Sequence, residues 1–276
     1  MSCYYFLTIC PQLPHFFISI SFFNLTYYHH SDIFIQMLDG GLILNSVKKI
    51  YHGSTSIIKK PEHGKGNARN DYGLGFYCTE DIELAMEWAC EDKRGGFVNI
   101  YTIDISKLSI FNLSLPQYGF MDWLAILVNN RTFSIASPLA AEAKEYLTDN
   151  FLPDISLADA ITGYRADDSY FAFAMDFFNN AISIRQLSRA MMLGNLGEQF
   201  VLKSHKSFDL IQFEDSKVVD GAIYYPKRKK RDSEARKDYL KRERKIARSS
   251  DDIYMIDILR EGMKPNDERL QRNLFK

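Results

Sequence analysis

Apolar and polar positions alternate most regularly over Phe97–Ile105 (FVNIYTIDI), whose β-branched and aromatic residues predict a strand. A shorter strand is expected over Lys48–His52, ending in a turn at Gly53-Ser54. Lys59–Asn70 is polar and carries Pro61, Gly64 and Gly66, the pattern of a loop. A glycine-rich turn and short strand follow over Tyr72–Thr79. Ile82, Ala85, Met86 and Ala89 recur at helical spacing, so Asp81–Asp92 reads as a helix. Four amphipathic helices are predicted in the middle: Met121–Asn130, Pro138–Thr148, Asp168–Asn179 and Ile184–Leu193, with a strand-like ADAITGY before the third. Gln199–Lys203 and Phe208–Phe213 read as two last strands. Strands at both ends with helices between them predict an α+β domain rather than a doubly wound parallel sheet.

Two stretches break this pattern. Met1–Ser31 contains no Asp, Glu, Lys or Arg and is dense in aromatic residues. A membrane anchor needs about 20 mainly apolar residues, but Pro11, Gln12, Pro14 and His15 interrupt the run. A secretory signal needs a basic start and a small-residue cleavage site, and neither is present. A third reading is a gene-model extension, with translation beginning at Met37. Residues 1–36 are therefore set apart from a domain over 37–220. The other stretch is basic: Lys227–Arg248 holds 12 basic and 4 acidic residues, a local charge of +8. It predicts a solvent-exposed helix over Asp232–Ala247 within a charged helical tail, 221–276.

Composition narrows the classes. The 276 residues are 46% hydrophobic and 25% charged, so a sizeable core forms and global disorder is excluded. The formal charge of -1 leaves -1 - 8 = -9 on the rest of the chain, so the molecule as a whole is no polycation. Cys3, Cys10, Cys78 and Cys90 form no CxxC pair and no zinc-like ladder, so neither a metal site nor a disulfide framework is expected, and a reducing, cytoplasmic setting is the simpler one.

The segments with chemistry in them are YHGS (Tyr51–Ser54) and GLGFYCTEDIELAMEWA (Gly73–Ala89). Alone, each has a bland reading. His52 suits a strand-end hydrogen bond, Gly73 and Gly75 a tight turn, Tyr77 a core aromatic, and Trp88 a helix-face anchor. In this order and spacing they resemble the nicotinamide-binding half of the ADP-ribosyltransferase superfamily, in the branch shared by diphtheria toxin and the poly(ADP-ribose) polymerases. They also resemble a bacterial domain-of-unknown-function family often placed in that superfamily. WLAILVNNR (Trp123–Arg131), ITGYRADDSYF (Ile161–Phe171) and EQFVLKSHKSFDLIQF (Glu198–Phe213) fit that family too.

The resemblance implies a split mixed β-sheet core with inserted helices, and NAD as substrate. It implies that Gly53 meets the carboxamide and His52 the adenosine ribose, with Ser54 in support. Tyr77 and Trp88 would sandwich the cationic nicotinamide, each contact worth about 0.5–2 kcal/mol. The branch usually carries a glutamate late in the domain, and Gln199 rather than Glu198 aligns with it. Alternation agrees: Glu198 groups with Phe200 and Leu202, and Gln199 with Val201. Asp167 and Asp168 either begin the following helix or touch substrate, and Arg69 and Asp71 either approach phosphates or pin the loop.

The expected activity is toxin-like mono-ADP-ribosyl transfer from NAD to a protein or nucleic-acid acceptor, releasing nicotinamide, with an antitoxin as a further partner. Two rivals stand beside it. One is a catalytically inactive module of the same fold that binds a nucleotide or partner. The other is a nucleic-acid binder acting through Lys227–Arg248, although only Tyr239 is interleaved there for stacking.

Overall fold

The structure, a computed structural model, describes residues 34–38, 41–92, 94–115, 118–132, 137–166, 168–193 and 197–272. Its strands are β1 (Phe34–Leu38), β2 (Gly41–Asn45), β3 (Val47–Ser54), β4 (Phe76–Cys78), β5 (Gly96–Asp104), β6 (Ile110–Asn112), β7 (Ala160–Tyr164), β8 (Glu198–Leu202) and β9 (Ile211–Val219). Its helices are α1 (Ile82–Trp88), α2 (Phe120–Asn130), α3 (Pro138–Phe151), α4 (Asp168–Phe178), α5 (Ile184–Met192), α6 (His205–Leu210), α7 (Gly221–Lys241), α8 (Met255–Glu261) and α9 (Glu268–Arg272).

The fold is α+β. An antiparallel sheet runs β3-β5-β9, and a mixed sheet runs β4-β8-β7-β6 with only β6 and β7 parallel. The backbones of Tyr51 and Thr79 exchange hydrogen bonds of 2.8 and 2.9 Å, which join the sheets where β3 passes β4. Between the sheets lie Ile50, Cys78, Tyr101, Phe200 and Leu202. The far side of the mixed sheet is covered by α2, whose residues Met121 and Trp123–Val128 are all buried. Helix α1 packs on β3 because its N-terminus is fixed by Asp81, which accepts from the backbone N–H of Glu83 and Leu84. Gly53 permits that approach, since a Cβ there would lie 2.0 Å from the carbonyl oxygen of Ala85.

Three expectations change. Phe208–Phe213 is not one strand: Ser204 caps α6 through Ser207 N–H, Phe208 turns inward, and pairing starts only at Ile211. The basic helix begins at Gly221, 11 residues before Asp232, with Asp220 as its cap. Nor is it merely a solvated tail. Ala235 and Tyr239 are buried, the Tyr239 ring lies 4.0 Å from that of Phe173, and its hydroxyl donates to Asp176 (2.5 Å). Met255, Ile258 and Met263 beyond it enter the main core. Asp168 is the first residue of α4, whereas Asp167 lies outside the described residues. So do residues 1–33, while Phe34–Gln36 belong to β1, which pairs with β2 in a separate hairpin. Among the described residues no helix is long and apolar enough to cross a membrane, and no group of three or more His, Cys, Asp or Glu could hold a metal ion.

Candidate functional site

A cavity of about 590 Å³ opens where β3, β4 and β8 meet α1 and α7. His52, Gly53, Tyr77, Trp88 and Gln199, separated by up to 147 residues in the chain, all line it. Ser54 and Glu198 do not. The Ser54 hydroxyl donates to the carbonyl of Ser56 (2.7 Å) and accepts from the Asn99 amide (2.9 Å), so it shapes the turn after β3. Glu198 is exposed and accepts from the Ser114 hydroxyl. The expected strand alternation therefore holds: Val201, on the side of Gln199, joins the helix-covered core, and Phe200 and Leu202 join the core between the sheets.

His52 is half-buried and stacks on Phe76 with ring centroids 4.3 Å apart. Its Nδ1–H donates to the carbonyl of Tyr77 (2.7 Å), which leaves Nε2 as an acceptor. Burial holds its pKa below the ordinary histidine value, so the ring is neutral near pH 7. The Tyr77 hydroxyl donates to the carbonyl of Gly73 (2.6 Å) and accepts from the N–H of Tyr72 (3.0 Å). Burial raises its pKa, so it stays a neutral phenol with its ring fixed against the cavity. The guanidinium of Arg165 lies 3.9 Å from the centre of the Trp88 ring, so a cation already rests on one indole face.

The polar floor of the cavity centres on Asp71. Its carboxylate lies 2.8 Å from Nε of Arg131, and its other oxygen accepts from the N–H of Ala166 and from Nε2 of Gln199, each at 2.9 Å. Arg131 also donates to the carbonyl of Ala166 (3.3 Å). Burial pushes the Asp71 carboxyl up, and Arg131, these two N–H donors and the nearby Arg165 pull it back. Four distant segments are thus tied at one carboxylate. Gln199 lines the cavity and donates one amide N–H to Asp71, which leaves its carbonyl oxygen and second N–H as further polar functions.

Two groups were missed by reasoning from sequence. Asp71, Arg131 and Arg165 supply the charge of the floor, whereas the sequence points only to Asp71 of these, with Arg69, as a phosphate neighbour or a loop pin. The available signal was an arginine closing the apolar run WLAILVNN and another closing the strand AITGY, since a cation at the edge of buried apolar sequence needs a buried partner. The other group is the wall made by α7, where Tyr225, Arg228, Lys229, Asp232 and Arg236 border the cavity. This wall is bolted to α1. Arg231 makes two bonds to the buried Glu87 (2.8 and 3.0 Å), and Lys227 pairs with Glu83 (3.0 Å).

A family model described as "Protein of unknown function (DUF3990)" matches residues 48–213, more than half of the chain, and the chain belongs to that family. No curated protein and no solved structure matches the chain. The matched span holds every floor residue and stops inside β9, before α7.

Proposed function

We propose that this DUF3990 protein is a mono-ADP-ribosyltransferase that takes NAD as substrate, releases nicotinamide, and passes ADP-ribose to a macromolecular acceptor. The observation that carries this reading is the meeting of His52, Gly53, Tyr77, Trp88 and Gln199 in one cavity. Those residues were picked out by the family resemblance and, for Gln199, by strand alternation, and a common lining is what a shared substrate requires.

The chemistry asked of the site is modest. Cleavage of the C1′–N bond sends its electron pair to nicotinamide, which leaves neutral, and builds positive charge on the ribose. Tyr77 and Trp88 offer aromatic faces to the cationic ring. Arg165, resting on Trp88, makes the same kind of contact, so nicotinamide entry would exchange one cation for another and free Arg165 for the diphosphate. His52 Nε2, an acceptor in the neutral ring, suits a ribose hydroxyl. Gln199 brings its carbonyl oxygen and, through Asp71, a nearby buried negative charge toward the developing cation. It lacks the carboxylate that would deprotonate an acceptor, which favours acceptors needing little activation.

That same glutamine favours a second reading, an inactive member of the fold that binds a dinucleotide without cleaving it. Nicotinamide release separates the two. The full chain with NAD should liberate nicotinamide, and Tyr77→Ala and Trp88→Ala should each reduce it at least tenfold while circular dichroism stays unchanged. Binding of NAD without release would select the inactive module, and equal release by both folded variants would remove the aromatic clamp.

A further inference from the structure

We infer that the outward side of α7 is a docking track for single-stranded nucleic acid that leads to the cavity mouth, so that a polynucleotide is the acceptor; the acceptor role rests on the proposed NAD chemistry. The first observation is a division of labour among the cations of this helix. On one side, Lys227 and Arg231 pair with Glu83 and Glu87 and hold the helix to α1. Helical spacing puts Lys229 opposite these two, and Lys229, Lys237 and Lys241 are all exposed and have no carboxylate within ion-pair distance among the described residues. Helical spacing puts Lys229 at the cavity rim and turns Lys237 and Lys241 progressively outward from it. A dinucleotide held in the cavity reaches only the rim. A ligand that also engages the outer lysines has to continue out of the cavity along the helix, which at 21 residues is about 30 Å long.

Charge and aromatic chemistry select the polymer. The stretch Lys227–Arg248 carries +8 on a chain whose total is -1, so positive charge is concentrated in and just beyond this helix. Tyr225 lines the cavity on the same wall, and the ammonium of Lys229 lies 5.6 Å from its ring centre. An aromatic ring beside a rim cation is the pairing that stacks a base and holds its phosphate. A duplex keeps its bases stacked, whereas chemistry inside a cavity needs an unstacked nucleotide, so the strand that fits is single. In the transfer, the C1′–N bond of NAD breaks and nicotinamide leaves with the electron pair. A nucleotide oxygen or nitrogen then bonds to C1′ and gives its proton to water.

The test titrates the full chain into a fluorescent single-stranded oligonucleotide across about 50 to 200 mM salt, then adds NAD labelled in its ADP-ribose part. Affinity should fall steeply with salt. The double variant Lys237→Gln/Lys241→Gln, with two exposed side chains changed, should flatten the log–log slope by about 1.4. Label should appear on the oligonucleotide. An unchanged slope in the variant, or equal competition by poly-glutamate, overturns the docking track, the latter in favour of an acidic protein. Nicotinamide release with no label on the oligonucleotide overturns the acceptor role. Oligonucleotide binding with the shifted slope but no nicotinamide release supports the track and overturns the NAD reading.

Discussion

Two carboxylate–arginine pairs border the same cavity and differ in what surrounds them. Asp71 and Arg131 sit in its floor, with side chains 5% and 23% exposed, and Asp71 also accepts from Ala166 and Gln199. Asp232 and Arg236 sit on its α7 wall at 3.1 Å, with side chains 32% and 45% exposed. Water screens the second pair and weakens it. The first pair is held away from water, and loss of one partner strands a charge there. The floor is therefore built to hold one geometry, and the wall pair is the more exposed and more weakly coupled of the two.

The sharpest way to break this comparison is Arg131→Ala. It should destabilise the fold by about 3–5 kcal/mol, measured by urea denaturation, because Asp71 loses its charge partner. A cost below about 1 kcal/mol would put the floor in the same class as the wall. Next is Arg231→Ala, which removes two bonds to the buried Glu87. A loss of about 1.5–3 kcal/mol is expected, with faster proteolytic cleavage within α7 than elsewhere. Gln199→Ala should lower nicotinamide release at least tenfold, about 1.4 kcal/mol in transition-state terms, while Glu198→Ala changes it clearly less. The reverse order on folded variants would move the role to Glu198.

A pH series sharpens the same contrast. The folded pKa of His52 lies below the ordinary 6.5, so the unfolded chain takes up the proton first. Its contribution to stability is complete above about pH 6.5 and is lost as pH falls toward the folded pKa. His52→Gln should remove that part of the acid-side decline, and identical pH profiles for the two proteins would rule it out. The smallest effect belongs to the wall: Arg236→Ala, which removes the i,i+4 pair, should cost about 0.3–0.5 kcal/mol, and less at high salt.

Much of this was legible in sequence where local pattern and burial agree. Strands β3, β5 and β7 and helices α1 to α5 follow from alternation or helical spacing, with ends shifted by a few residues. The cavity-facing side of β8 followed from alternation too, although four of its five residues are buried. What failed was decided by caps and by distant partners, neither of which periodicity shows. Phe208 fits a strand by composition, yet the Ser204 cap makes that stretch a helix. The charged run reads as a helix only from Asp232, and Pro226, which removes a backbone donor, lies inside α7. The helix begins at Gly221 regardless, because Asp220 caps it and the ion pairs to α1 hold its first turns. Asp71 meets Arg131 across 60 residues and Gln199 across 128, a convergence that no short motif announces.

The buried amide of Asn99 has a consequence for the order in which the site can form. Its oxygen accepts from the N–H of Ile58 (2.8 Å), and its nitrogen lies 2.9 Å from the Ser54 hydroxyl and 3.3 Å from the carbonyls of His52 and Ser56. The turn that follows His52 and Gly53 is thus closed by a side chain from β5, more than 40 residues later. During folding that turn has no final shape of its own until β5 pairs with β3, and loop closure must precede it. Amide exchange at Ile58 should accordingly track the opening of the β3–β5 ladder rather than the motions of its own loop. The His52–Gly53 end of the cavity would then be assembled as part of the sheet, in a single cooperative step with it.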